Sequence, residues 1–320
     1  MNVLVTGGAG FIGSHLIERL LARDSAANIV CLDDFNAYYD PALKRANVSA
    51  FAGDRRVTIV EGSFCDGAAI ERLFAERRFH RVLHLGAYAG VRASLAQPQV
   101  FTATNVDGTL SLLEAARKHP VERLVFASSS TVYGDTAQVP FQEDAPLGVP
   151  LSPYGVTKRA GELLCFSYMK LHGVPVVCLR PFSVYGPRIR PDLAMWIFAE
   201  AIVTGRPIPV LGDGSYRRDF THVSDVCDGF LAALDAGQAV GEAINLGHDE
   251  PVAIGELISL LEQQLARKAV LEHRPASPAD LPVTRADLSK ARRLLGYQPR
   301  MTLADGVRDF ARWFLKLRGN

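Results

Sequence analysis

The chain has 320 residues, 48% of them hydrophobic, with 35 basic side chains against 34 acidic and a net charge of +1. That is enough apolar material for one large domain or two sharing a core, and it excludes a disordered chain. A charge so near zero supplies no field for nucleic acid or an anionic membrane, so any bound phosphate must be held locally by a loop and a few arginines.

The five cysteines (Cys31, Cys65, Cys165, Cys178, Cys227) are scattered, with no C-x-x-C pair. They read as reduced, mostly buried small hydrophobes of a cytoplasmic protein. MNVLVTGG reads as a strand entering a glycine turn, without a signal-peptide core, and no apolar run reaches bilayer length. A soluble chain with no membrane or nucleic-acid partner is expected.

Along the first half, short Val/Ile/Leu-rich runs alternate with segments of helical period. NVLV, IVCL, VTIV, RVLHL, RLVFAS and VPVVCL read as buried strands. Phe11 to Arg23, Ala68 to Arg78, Pro98 to His119 and Pro153 to His172 read as the helices between them. This alternation predicts an α/β fold, a doubly wound parallel sheet that takes its ligand at the carboxyl ends of the strands. Beyond about Pro181, loops rich in Pro, Gly and Arg separate four predicted helices, the last from Leu303 to Arg318. A smaller C-terminal α/β substrate domain is placed at 181–220 and 248–320. Residues 1–180 form the dinucleotide domain, to which a helix and strand within 221–247 return.

VLVTGGAGFIGSHLIERLL sets Gly7, Gly10 and Gly13, with Phe11 and Ile12 between them, at a strand-to-helix junction. The chain must turn tightly there, the backbone must approach a pyrophosphate, and the helix N-terminus then offers free N–H groups. The next strand ends in Asp33, about twenty residues later, where a carboxylate accepts bonds from ribose hydroxyls. Asp33 and Asp34, with no arginine close behind, disfavour a 2′-phosphate and point to NAD rather than NADP.

In SPYGVTK, Tyr154 and Lys158 stand four residues apart, one helical turn, on one helix face. A phenol is a weak base near pH 7, with an ordinary pKa of about 10. A neighbouring ammonium is expected to lower it and make Tyr154 a usable proton acceptor. Upstream, RLVFASSSTVYG is a strand ending in Ser128, Ser129, Ser130 and Thr131, hydroxyls at the ligand end of the sheet.

GGAGFIGS, HLGAYAGVRASL, NVDGTLSLLEAAR, SSSTVYG, SPYGVTK, RPFSVYGPRIRPD and RRDFTHVSDV, in this order, resemble the nucleotide-sugar epimerase/dehydratase branch of the extended short-chain dehydrogenases/reductases. The resemblance spans essentially the whole chain and implies a Rossmann-type fold. DDFNAYYDPALKR and GPRIRPDLAMWIFAEAI look most like UDP-glucuronate 4-epimerases, with UDP-glucose and UDP-N-acetylglucosamine 4-epimerases next.

The resemblance implies that Tyr154 takes and returns the C4 hydroxyl proton, that Ser129 bonds the C4 oxygen, and that Lys158 also holds the nicotinamide ribose. The dehydratases carry Asp and Glu where this chain has Ser130 and Thr131. Without a base to pull a proton from carbon, the 4-keto sugar is expected to take its hydride back and leave epimerised. Arg218, in RRDF, matches the family arginine that holds the diphosphate, and Ser183, Arg190 and Ser130 match positions near the sugar. Ser63 stands where an Asp often meets adenine, leaving Phe64 as the neighbouring contact. Ser277 stands where many relatives place an Arg on the uridine diphosphate. The two long helices are those that pair across a homodimer in the family. A 4-keto-sugar reductase using NADPH and a non-enzymatic dinucleotide sensor are rival readings, disfavoured by the Asp33–Asp34 pair and by retention of both Tyr154 and Lys158.

Overall fold

The computed structural model describes residues 1–136, 138–275 and 281–319. Strands β1 (Asn2–Thr6), β2 (Asn28–Asp33), β3 (Val57–Glu61), β4 (Arg81–His84), β5 (Arg123–Ala127) and β6 (Val176–Pro181) match the six predicted apolar runs. Between them lie α1 (Phe11–Arg23), α2 (Pro41–Ser49), α3 (Gly67–Arg77), α4 (Val91–Ala96), α5 (Pro98–Thr102), α6 (Gly108–Lys118) and α7 (Pro153–His172). The single helix expected over Pro98 to His119 is α5 and α6 joined by a π-helical turn, Ala103–Asp107. Helices α2 and α4 were not predicted; both are short and lie in segments rich in aromatic and small residues.

Next come β7 (Val184–Tyr185), α8 (Ala194–Thr204), β8 (Pro207–Leu211), β9 (Arg217–Arg218), β10 (Thr221–His222), α9 (Val223–Asp235), β11 (Ala243–Leu246) and β12 (Val252–Ala253). The chain finishes with α10 (Ile254–Leu265), β13 (Val270–Arg274), α11 (Ser289–Leu295) and α12 (Leu303–Leu317). Five helices therefore follow Pro181 among the described residues, not four; α11, at seven residues, is too short to declare a period.

The main sheet has the order β11-β6-β5-β4-β1-β2-β3, seven strands, every neighbouring pair parallel. The expected return of a helix and strand is α9 and β11, the latter pairing with β6. The central strands are continuous apolar runs because helices cover both faces: Val3, Leu4 and Val5 are wholly buried. Helices α1 and α9 pack together on one face, and α3, α6 and α7 pack in series on the other. Chain direction across the sheet reverses between β1 and β4, and the crevice at their carboxyl ends is where such a sheet takes its ligand. One hydrophobic core runs from β1 and α1 through α9 into α8, α10 and α12, so the C-terminal elements share it.

Candidate active site

A cleft of about 910 Å³ opens at the carboxyl ends of the strands. Its lining includes Gly7, Gly10, Phe11, Ile12, Gly13, Asp33, Phe64, Ser129, Ser130, Tyr154, Lys158, Ser183, Arg190 and Arg218. The fold thus brings every predicted site residue to one cavity.

At the cofactor end, Gly7 has φ of +66°, and a Cβ there would stand 2.8 Å from the Gly86 backbone. A Cβ on Gly13 would lie 2.2 Å from the Gly7 carbonyl oxygen, so only glycine lets α1 start this close to β1. Helix α1 begins at Gly10 with no side-chain cap, whereas Asp66 and Ser152 cap α3 and α7. Uncapped N–H groups at the positive end of a helix, facing a cleft without a Cβ in the way, fit a dinucleotide pyrophosphate.

Asp33 ends β2 as expected, and its carboxylate accepts from Ala9 N at 3.1 Å and Phe35 N at 2.9 Å. Lys44 Nζ lies 3.7 Å from it. Burial raises the Asp33 pKa, and the Lys44 charge opposes that rise. The sequence reading saw no arginine behind Asp33 and missed this buried lysine. It arrives from α2, capped by Asp40 and begun by Pro41. Asp34 is exposed and bonds Asn36. Phe64 is buried between Gly86 and Gly108, neither of which leaves room for a Cβ against its ring. Ser63 accepts from Cys65 N and so shapes its own turn.

Ser152 accepts from Gly155 N and Pro153 occupies the first turn, which starts α7 just ahead of Tyr154. The Tyr154 phenol stands beside the Ser129 hydroxyl. Burial raises its pKa; the Arg190 charge and then the Ser129 hydroxyl oppose the rise. This departs from the expectation that Lys158 lowers the phenol. The Lys158 ammonium instead donates to Ala127 O at 2.7 Å and lies over the Phe126 ring. Burial brings the Lys158 pKa down to about 8, with Cys165 and Glu162 opposing and Arg190 assisting.

The hydroxyl row divides. Ser128 turns away to donate to Glu162 Oε1 at 2.6 Å. Ser129 accepts from Thr131 N at 3.2 Å and Thr131 Oγ1 at 3.0 Å while facing Tyr154. Ser130 and Thr131 line the cleft; among the described residues its carboxylates are Asp33 and Asp34 at the cofactor end and Asp192, which is bound to Arg190.

Arg190 was expected as a cation available to the sugar. It is bound instead to Asp192 through Nε and Nη2, each at 2.9 Å, and Nη2 also donates to Ala89 O at 3.1 Å. A carboxylate two residues away satisfies the guanidinium before any ligand arrives. Ser183 lines the cleft with φ of +20°, and its carbonyl accepts from Thr221 N. Of the two adjacent arginines, Arg217 donates to Pro251 O, and Arg218 lines the cleft with its guanidinium over Tyr216 and its Nη1 donating to Arg217 O at 2.9 Å. Ser277 lies outside the described residues.

Sequence reasoning also missed Asn105, in the π-helical turn. Its amide donates to Tyr88 O and to Thr157 Oγ1 and accepts from Tyr88 N, tying the loop after β4 to α7. Tyr38 was missed too; its hydroxyl donates to Ala89 O at 2.6 Å, beside the Arg190–Asp192 pair. Both act through long-range bonds that no spacing rule announces.

The chain is similar throughout to proteins of known activity. The UDP-glucuronate 4-epimerase of Thermodesulfobacterium geofontis is 38% identical over 312 residues, 97% of this chain and 95% of the relative. UDP-glucuronate 4-epimerase 6 of Arabidopsis thaliana is 39% identical over 337 residues, 100% of this chain and 72% of the relative. The crystal structure of the Bacillus cereus UDP-glucuronic acid 4-epimerase, in complex with UDP-glucuronic acid and NAD, superposes with a TM-score of 0.93 at 36% identity, covering 99% of this chain and 100% of that one. The profile of the NAD dependent epimerase/dehydratase family matches residues 3–247, and the chain belongs to that family.

Proposed function

We propose that this protein is an NAD-dependent 4-epimerase that interconverts UDP-glucuronate and UDP-galacturonate. The carrying observation is a cleft that gathers Ser129, Ser130, Thr131 and Tyr154, where the described lining residues include no carboxylate other than Asp33, Asp34 and Asp192, so that hydroxyls stand at the positions where the dehydratases carry Asp and Glu. Within a family of epimerases and dehydratases, that row leaves inversion at C4 as the outcome. Chain-long similarity to UDP-glucuronate 4-epimerases supports the choice of sugar.

Residues 1–180, with 221–247, form the cofactor lobe, and 181–220 with 248–320 the sugar lobe. Gly7, Gly10, Phe11, Ile12 and Gly13 hold the pyrophosphate, Asp33 takes the ribose hydroxyls, and Phe64 lies under the adenine side. NAD, when bound, supplies the hydride acceptor and donor at C4. Tyr154, as the phenolate, takes the C4 hydroxyl proton; the 4-keto sugar turns over to present its opposite face for hydride return, and Tyr154 then gives the proton back to the same oxygen. Ser129 bonds the C4 oxygen throughout, which keeps that atom in place as its proton moves. Lys158, cationic on its Ala127 anchor, holds the nicotinamide ribose. Arg218 grips the diphosphate, and Ser130 and Ser183 bond the sugar carboxylate. Holding that carboxylate in a fixed plane keeps the 4-keto acid from losing carbon dioxide.

One observation favours a neutral hexose, the UDP-glucose reading. Arg190 already has a carboxylate partner in Asp192 and so presents no open charge to a uronate. Incubating the purified protein with UDP-glucuronate, UDP-glucose and UDP-N-acetylglucosamine, without added cofactor, and reading products by NMR separates the readings. The expected product is UDP-galacturonate, formed with no loss of water or carbon dioxide. Preference for UDP-glucose, or a pentose or 4-keto-6-deoxy sugar as main product, overturns the assignment. Tyr154→Phe should keep its NAD and lose turnover by a factor of about 10² or more.

Val156 and Leu163 on α7 are 52% and 56% exposed, and Val100 on α5 and Leu110 on α6 are 37% and 36% exposed. This apolar face supports pairing with a second copy as a homodimer. Five free thiols suit a cytoplasmic location. Among the described residues no helix is long and apolar enough to cross a membrane.

A further inference from the structure

Behind the cleft, on α7, lies a carboxylate that neither the cofactor nor the sugar accounts for. Glu162 is wholly buried and does not line the cleft. Its Oε1 accepts from Ser128 Oγ at 2.6 Å and from Arg180 Nε at 2.8 Å, and its Oε2 accepts from Arg180 Nη2 at 2.9 Å. Arg180 sits in β6, itself only 2% exposed, with its guanidinium over the Tyr133 ring. Its remaining nitrogen, Nη1, is buried with no hydrogen-bond partner.

Three elements therefore meet at one carboxylate: α7 carries it, the end of β5 reaches it through Ser128, and β6 grips it with a two-pronged fork. Such a fork fixes direction as well as distance. Stability alone does not call for it, since apolar residues of similar volume commonly serve a core as well as a buried ion pair.

The placement relative to the reacting groups gives the cluster a task. Glu162 is one helical turn beyond Lys158, which is itself tied to Ala127 O. Ser128 is the residue between Ala127 and Ser129. The two ties, Lys158 to Ala127 and Glu162 to Ser128, run side by side from α7 to consecutive residues at the β5 end. Alongside them the helix lies hard against the strand, where a Cβ on Gly161 would come within 2.5 Å of the Phe126 ring.

We infer that Glu162 is a positioning residue of this site: with Arg180 and Ser128 it sets where α7 stands against the end of β5, and so where the Tyr154 hydroxyl meets Ser129. A helix moves as a rigid rod, so slack at Glu162 displaces Lys158 and Tyr154 together relative to the serine. The inference rests on the reading of Tyr154, Lys158 and Ser129 as the reacting set.

Ser128→Ala, Glu162→Gln and the double variant Glu162→Leu/Arg180→Met test it by NAD content, unfolding temperature, KM, and kcat against pH. The double variant removes both charges together and leaves neither uncompensated. It should unfold near the wild-type temperature, keep NAD and KM, and still lose kcat by about ten-fold or more, as expected when reacting groups are displaced. Ser128→Ala, which removes one bond and no charge, should lower kcat in the same direction with KM unchanged.

In Glu162→Gln the alkaline limb of kcat should move to lower pH. Lys158 faces Glu162 and Cys165 on its own helix, His84 on β4, the Phe126 ring on β5 and Arg190 across the cleft, and this change removes a carboxylate that favours its cation. Wild-type kcat in the double variant or in Ser128→Ala overturns the inference and reduces the cluster to packing, as does an unmoved alkaline limb. Near-normal turnover in Tyr154→Phe would instead refute the underlying reading, independently of these variants.

Discussion

Replacing Gly13 with alanine should destabilise the fold itself, whereas replacing Gly10 should spare it. A Cβ on Gly13 would lie 2.2 Å from the Gly7 carbonyl oxygen and 2.9 Å from Gly8 Cα, both backbone atoms with no rotamer to swing away. Overpacking of this kind costs about 3 kcal/mol, the upper end of its usual range. Alanine within a helix recovers about 1 kcal/mol relative to glycine, leaving a net loss of about 2 kcal/mol. For 320 residues, an unfolding entropy of about 2.1 cal/mol/K per residue converts that into a fall of about 3 °C in Tm. A Cβ on Gly10 meets only the Gly7 carbonyl, at 3.1 Å, which a shift of a few tenths of an ångström relieves. The expected change there is under about 1 kcal/mol. Thermal unfolding should be followed on all three proteins after NAD has been stripped, so that loss of ligand stabilisation does not masquerade as loss of fold. Nucleotide content as purified is read separately, and both variants should show it reduced. A stripped Gly13→Ala protein melting with the wild type, or a Gly10→Ala protein melting lower than Gly13→Ala, would refute the reasoning.

Turnover should fall as pH rises through about 8, because burial lowers the Lys158 pKa to about that value and the working form is the ammonium. A kcat profile flat to well above pH 9 counts against it. Asp33→Ala should reduce bound NAD and relax discrimination against NADP, more so in Asp33→Ala/Asp34→Ala, because Lys44 then remains as an unopposed cation at the ribose. Unchanged cofactor content in both variants argues against this placement of the adenosine ribose.

Much of this molecule is readable from local pattern because the responsible physics is local. Runs of branched apolar residues in β1 to β6 are long enough to be strands buried on both faces and too short to be helices. The spacing of Gly7, Gly10 and Gly13 follows from the geometry of one turn, and Tyr154 and Lys158 share a face because a helix repeats every 3.6 residues. Seven strands in one parallel order then bring these positions to a common edge, as the alternation of elements requires.

What the tertiary structure decided is the state of the charges. Arg190 looks available in sequence, yet its fork lies on Asp192. Lys158 looks like the cation for Tyr154, yet its ammonium is held by Ala127 O, and Arg190 acts on the phenol instead. Lys44 reaches Asp33 only because α2 folds back over the end of β2, and Arg180 meets Glu162 only because β6 lies beneath α7. The strength of a charge depends on how much water is removed around it and on which opposite charge packing brings near. Both are set by contacts between segments far apart in the chain, so side-chain identity and spacing locate this site while the assembled core decides how its groups titrate and pair.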